Sequence, residues 1–201
     1  MFLREHPNER RLVPAGRALE FVLAIPRASA EADQYAILTS LLRTHERSRN
    51  SGTFSLSHTG AIYHIEPSSI LKKDGKTERV RSILDTKIAF PVGERNVLQA
   101  LQLALTKLEE RSGVHVVIGG ISFNLLRQTT TNIGAEDQTA KEVLVSLFEE
   151  VNKTFISRFN EPRRIVWRLH YAPDAKVYFF NWHVVMIEEN SPFGGKVRRP
   201  I

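Results

Sequence analysis

Seven histidines, 22 carboxylates and 28 basic side chains are the groups with which this chain of 201 residues could do chemistry, and it has no cysteine. Without thiols, disulfides, thiolate metal sites and cysteine nucleophiles are excluded. His58 and His64 are spaced to sit on neighbouring strands, as are His170 and His183. Two facing imidazoles joined by a carboxylate would hold zinc. No helical histidine pair at i, i+4 occurs, so exposed strand histidines are the simpler account. Glu109-Glu110, Glu149-Glu150 and Glu188-Glu189 fall in helices or the tail and read as solvated faces, since acid–base work needs burial to separate two carboxyl pKa values. The run Gly119-Gly120-Ile121-Ser122-Phe123-Asn124 invites comparison with a nucleophile elbow. That turn needs glycine two residues after the serine, and Asn124 stands there. Nor does Gly119-Gly120 have the spacing of a phosphate loop. No catalytic residue, metal or cofactor is therefore expected, and the chain reads as a non-enzyme.

What remains is a surface. Tyr178, Phe180 and Trp182 share one face of a strand candidate, and Phe179, Asn181 and His183 share the other. Arg163, Arg164 and Arg168 lie on the segment before it. One face must pack on helices. If the other stays open, it offers aromatic groups beside arginines. Extended peptides add to such sheet edges, and single nucleic-acid strands stack on such platforms. The plainer alternative is a sheet covered on both sides, because large exposed apolar patches are uncommon. The expected partner-binding surface is Arg163, Arg164, Arg168, Tyr178, Phe180, Trp182 and His183, with a protein as partner and nucleic acid as the alternative.

The elements that must position this surface follow from periodicity. The hydrophobic share of 42% suffices for a core, and the formal net charge of +6 is mildly basic. Residues 1–16 are polar and read as an arm. Arg17 to Pro26 alternates Leu19, Phe21, Leu23 and Ile25, as a strand does. A helix capped by Ser29 should run to about Arg49, with Tyr35, Leu38, Leu41, Leu42 and His45 as its stripe. Strands at Thr53–Ser57 and Ala61–Glu66 flank a hairpin turn at His58-Thr59-Gly60. Residues 67–82 read as a linker around Lys72-Lys73-Asp74-Gly75-Lys76.

A second domain is expected over 83–186. Ile88, Phe90 and Val92 alternate on a strand. Asn96 with Gln99 forms a capping box, Leu98, Leu101, Leu105 and Leu108 make the helix stripe, and Gly113 stops it. Val114–Ile118 is a buried strand, and Arg127–Ile133 alternates as an edge strand. Thr139 and Glu142 make a second box, before a helix with Ala140, Val143, Leu144, Leu147, Phe148 and Val151 on one face. Two long strands follow, Ile165–Tyr171 and Val177–Val185, turning at Pro173–Lys176. Residues 187–201 read as a disordered basic tail. The fold class is α+β: repeated strand–helix–strand modules, small sheets with helices packed on one face. The pattern of strand, cap, helix and hairpin occurs at 17–66 and again at about 127–185.

The second domain resembles the secretin and TonB-dependent receptor short N-terminal (STN) domain. The matching stretches are Ile88-Ala-Phe-Pro-Val92, Leu98-Gln-Ala-Leu101, Arg111-Ser-Gly-Val-His-Val-Val117 and Ala135-Glu-Asp-Gln-Thr-Ala-Lys-Glu-Val-Leu144. With the strand Tyr63-His-Ile-Glu-Pro67 included, the arrangement also resembles a group of exported bacterial proteins without an assigned function. The resemblance covers about half the chain and its matched positions are scaffold residues, so it implies no catalytic site. It implies a module of the bacterial cell envelope that binds peptide segments of partners or packs into rings. Met1 to Arg17 lacks the apolar run of a signal peptide, so the expected compartment is periplasmic only if a leader precedes it, and cytoplasmic otherwise. No stretch reaches the roughly 18 apolar residues of a membrane span.

Overall fold

The structure, a computed structural model, describes residues 30–47, 52–59, 62–71, 75–119, 123–159, 165–172, 175–184, 186–190 and 196–200. The polar arm 1–16 and the strand expected at 17–26 lie outside the described residues, and with that strand goes half of the expected repeat. The architecture is α+β. The chain divides into two compact units between Ser82 and Ile83.

The first unit holds helix α1 (Ala30–Arg47) and strands β1 (Gly52–Thr59), β2 (Ile62–Leu71) and β3 (Thr77–Arg79), which form an antiparallel sheet in that order. β1 runs on through His58 and Thr59, which were expected in the turn. The stretch 67–82, expected as a linker, instead carries the end of β2 and all of β3, with Ser69 opposite Arg79 and Leu71 opposite Thr77. Ser68 and Ser69 are satisfied within the sheet: the Thr53 hydroxyl bonds those of both at 2.7 Å each. A strand built on hydroxyl pairs has no hydrophobic alternation to announce it. Among the described residues of this unit the buried side chains are His64 and Ser69; of the α1 stripe Tyr35 is exposed and Leu38, Leu41, Leu42 and His45 are half-buried.

The second unit begins with a short 3-10 turn (Ile83–Asp85) and strand β4 (Lys87–Phe90). Then come β5 (Arg95–Asn96), helix α2 (Val97–Ser112), β6 (His115–Ile118), helix α3 (Phe123–Gln128), β7 (Thr130–Thr131), β8 (Ala135–Thr139) and helix α4 (Ala140–Phe159). Strands β9 (Ile165–Ala172), β10 (Val177–Val184), β11 (Met186–Asn190) and β12 (Lys196–Pro200) complete it. β4 pairs with β8, β5 with β7 and β11 with β12, all antiparallel. The largest sheet of the unit has the order β6-β10-β9, with β10 parallel to β6 and antiparallel to β9. α2 and α4 pack on each other, and each also touches both this sheet and the β4–β8 pair.

Both long helices begin as their sequences dictate. The Asn96 side chain accepts from the Gln99 N–H at 2.9 Å, and the Gln99 side chain accepts from the Asn96 N–H at 3.1 Å. Thr139 and Glu142 exchange the equivalent bonds at 2.8 and 3.3 Å. The Glu142 carboxyl is held below the usual carboxylate range by the hydroxyl and backbone N–H of Thr139. Gly113 closes α2 at φ 69°, and its N–H reaches the Glu109 carbonyl at 2.8 Å. Ala140, Val143, Leu144, Leu147, Phe148 and Val151 are all buried, facing Leu98, Leu101, Leu105 and Leu108 in one core.

Three expectations are corrected here. Val92 lies past the end of β4 and is 68% exposed, so only Ile88 and Phe90 of that alternation enter the core. The edge strand expected over 127–133 is the end of α3 followed by the two-residue β7. Thr129 ends that helix by donating both its N–H and its hydroxyl to the Leu125 carbonyl. The tail over 187–201 contains the β11–β12 ribbon, with Glu188 opposite Arg198 in register.

Candidate functional site

The register of β9 and β10 decides what the C-terminal hairpin can present. Eight consecutive residues pair, Val184 with Ile165 through Val177 with Ala172, without a register shift. Side chains alternate between the faces. Tyr178, Phe180 and Trp182 therefore share a face with Tyr171, Leu169, Trp167 and Ile165, and with Val116 and Ile118 of β6. This face meets the helices. Phe180 is 0% exposed and Trp182 8%. The Phe148 ring of α4 lies 5.9 Å from that of Phe180 and 6.4 Å from that of Trp182, and Trp167 stacks on Phe180 at 5.6 Å. Phe180 and Trp182 are thus core residues and not a recognition platform, a correction to the expected surface. Tyr178 is half-buried at the rim, its ring 4.7 Å from that of Tyr171. Burial pushes the Tyr178 hydroxyl pKa up, with a smaller contribution from Tyr171.

The outward face is built from His115 and Val117 on β6, Val177, Phe179, Asn181 and His183 on β10, and Val166, Arg168, His170 and Ala172 on β9. Arg168 and His183 of the expected surface sit here. Arg163 and Arg164 lie outside the described residues. Among the described outward positions of the three strands none is acidic. Glu109 of α2 ties the start of β6 down by pairing with His115 Nδ1 and accepting from the Val116 N–H, both at 2.5 Å. Burial, then the charge of Arg168, pushes the pKa of both His170 and His183 down. Gly119 ends β6 beside Asn181, whose side chain a Cβ there would strike, and its N–H reaches the Phe180 carbonyl at 2.8 Å.

β9 and β6 are the two edges of this sheet, and β9 is the longer. Its start is pinned by Asn152 of α4, whose side-chain oxygen accepts from the Ile165 N–H at 3.0 Å. Val166 is 40% and Tyr171 42% exposed, while Trp167 and Leu169 are only partly buried. Sequence reasoning missed Val166 and Tyr171 as surface groups. The Ile165–Tyr171 alternation was visible, but not which strand would lie at the edge.

The histidine pairs do not converge. Ser57 is opposite His64 and His58 opposite Tyr63, so the two imidazoles fall on opposite faces of β1–β2. His64 is buried, with Nε2 3.2 Å from the Thr59 hydroxyl, and His58 is exposed beside the rings of Tyr35 and Tyr63. His170 and His183 do share a face, but the Arg168–Asn181 pair stands between them. Four strand residues of separation is about 14 Å, far beyond a shared ion. Among the described residues no group of three or more histidines and carboxylates could hold a metal. The broad cleft of about 490 Å³ in this unit is lined by Glu94, Thr130, Thr131, Asn132 and Glu150, and no histidine reaches it. No helix is long and apolar enough to cross a membrane among the described residues. No family model, curated protein or solved structure matches the chain.

Proposed function

We propose that the protein is a non-enzymatic binding module that captures an extended segment of a partner protein along β9. The observation that carries this is the edge itself. β9 is one of the two outer strands of its sheet, and beyond Ile165, whose N–H Asn152 takes, its residues pair on one side only among the described residues. Alternate N–H and C=O groups of such a strand point away from its neighbour and are ready to pair with another chain. Exposed edges are normally blunted by lysine, proline or a bulge. Residues 165–172 contain no lysine or proline, and their register has no bulge. Its element order also supports the reading: strand, helix and strand, then a capped helix and a hairpin, as the STN resemblance implies. On that resemblance the module would work in the bacterial cell envelope.

A photo-crosslinking residue placed at Val166 or Tyr171 in the full chain tests this, with Glu136, exposed on β8, as the control. Adducts should concentrate at the β9 positions. Equal yields at all three positions, or none at β9, would sink the proposal. Nucleic-acid binding is the second reading, favoured by the outward face having no described acidic residue. Salt-dependent retention of a single-stranded oligonucleotide would support it. No retention on heparin at low salt would remove it.

A further inference from the structure

We infer that the segment accepted by β9 is one whose residues alternate between acidic and apolar, the acidic ones on the face of Arg168 and the apolar ones facing Trp167, Leu169 and Tyr171. This rests on the proposed strand capture and adds the chemistry of the captured strand. An added strand continues both faces of the sheet at once. On the outward face its side chains would lie beside Val166, Arg168 and His170, with His183 one strand further in. On the inward face they would lie beside Trp167, Leu169 and the 42% exposed Tyr171, the part of the inner face that the core leaves incompletely covered. Side-chain period two then dictates the pattern: acidic outward, apolar inward, repeated along six to eight residues, roughly the length of β9.

Two other occupants fit less well. A second copy pairing antiparallel through β9 about its middle would set Arg168 against Arg168. Like charges directly opposed across strands are destabilising. A nucleic-acid strand would lie over the outward face, whose one permanent cation among the described residues is Arg168. Affinity for a phosphate backbone comes from counterions released by several cations, so a single arginine supplies little. An acidic side chain directly across from Arg168 needs just that one cation.

The test uses the full chain and three labelled octapeptides: Val-Glu alternating, Val-Lys alternating, and one with four valines followed by four glutamates. Fluorescence anisotropy reads affinity, and amide hydrogen exchange reads protection along 165–172. The alternating acidic peptide should bind about threefold more tightly than either of the others, as one cross-strand charge pair at Arg168 would give, and should protect the β9 amides. Arg168→Glu should reverse the order, with the lysine peptide now favoured. That reversal cannot come from misfolding. Equal binding of acidic and basic peptides with β9 protected would overturn the inferred chemistry and leave strand capture standing. No β9 protection by any peptide would overturn both. Preferential binding of oligothymidylate, or concentration-dependent self-association through β9, would overturn the inference in favour of the other occupants.

Discussion

Phe180→Ala separates the two roles open to the aromatic hairpin. Phe180 has no solvent exposure, and its ring packs between Trp167 at 5.6 Å and Phe148 at 5.9 Å. Truncating a phenylalanine in such a place loses its transfer free energy and leaves a cavity, together about 3–5 kcal/mol. Neighbours on β9 and α4 are themselves locked by the sheet ladder and the helix core, so collapse into the void is limited and about 4 kcal/mol is expected. A domain of this kind has roughly 5–15 kcal/mol in total. With a urea m-value near 2 kcal/mol/M, the midpoint should fall by about 2 M. Phe179→Ala, next in sequence but half-buried on the outward face, should cost about 1 kcal/mol and shift the midpoint by about 0.5 M. Equilibrium urea unfolding followed by tryptophan fluorescence measures both, since Trp167 and Trp182 flank the site. If Phe180→Ala keeps the wild-type midpoint while Phe179→Ala takes the larger loss, the assignment of the two faces is wrong.

Asn96→Ala should cost about 1 kcal/mol by thermal unfolding, and Gln99→Ala added to it should cost less than it does alone, because the two side chains cap one helix end reciprocally. Gly134→Ala should destabilise more than Gly113→Ala: its Cβ would come 2.5 Å from the Val92 backbone nitrogen, which cannot swing aside, whereas at Gly113 the penalty is the left-handed backbone alone, about 1 kcal/mol. Acidification should also destabilise the second unit. His170 and His183 have pKa values below the ordinary 6.5 when folded, so the unfolded chain takes up protons first. Their contribution is fully present above about pH 6.5 and declines as pH falls through the window down to their folded values. The urea midpoint should drop across that window, and the drop should shrink in the His170→Gln, His183→Gln double variant.

Helices α2 and α4 were legible because what makes them is local. Their caps join residues three apart, and their stripes repeat within a few turns, so Asn96, Gln99, Gly113, Thr139 and Glu142 state their own roles in the sequence. Strand β8 was not legible. In Ala135-Glu136-Asp137-Gln138-Thr139 only Ala135 is buried, and its partner β4 lies nearly fifty residues away. A polar strand exists only because a distant one pairs with it. α3 is too short at six residues to show a helical period, and the hydroxyl pairs of β1 and β2 hide a strand in what reads as a linker.

The hairpin at the candidate site shows the division most clearly. Sequence alone determined that strands run over about Ile165–Tyr171 and Val177–Val185 and which side chains share a face. It could not determine which face is covered, because aromatic residues occupy both: Phe179 on one, Tyr178, Phe180 and Trp182 on the other. Only tertiary structure decided that. β6 inserts beside β10 and brings Val116 and Ile118 to the Phe180 side, and α4 sets Phe148 against the same ring. Burying that face in apolar contact excludes it from recognition, and the same pairing leaves β9 at one edge.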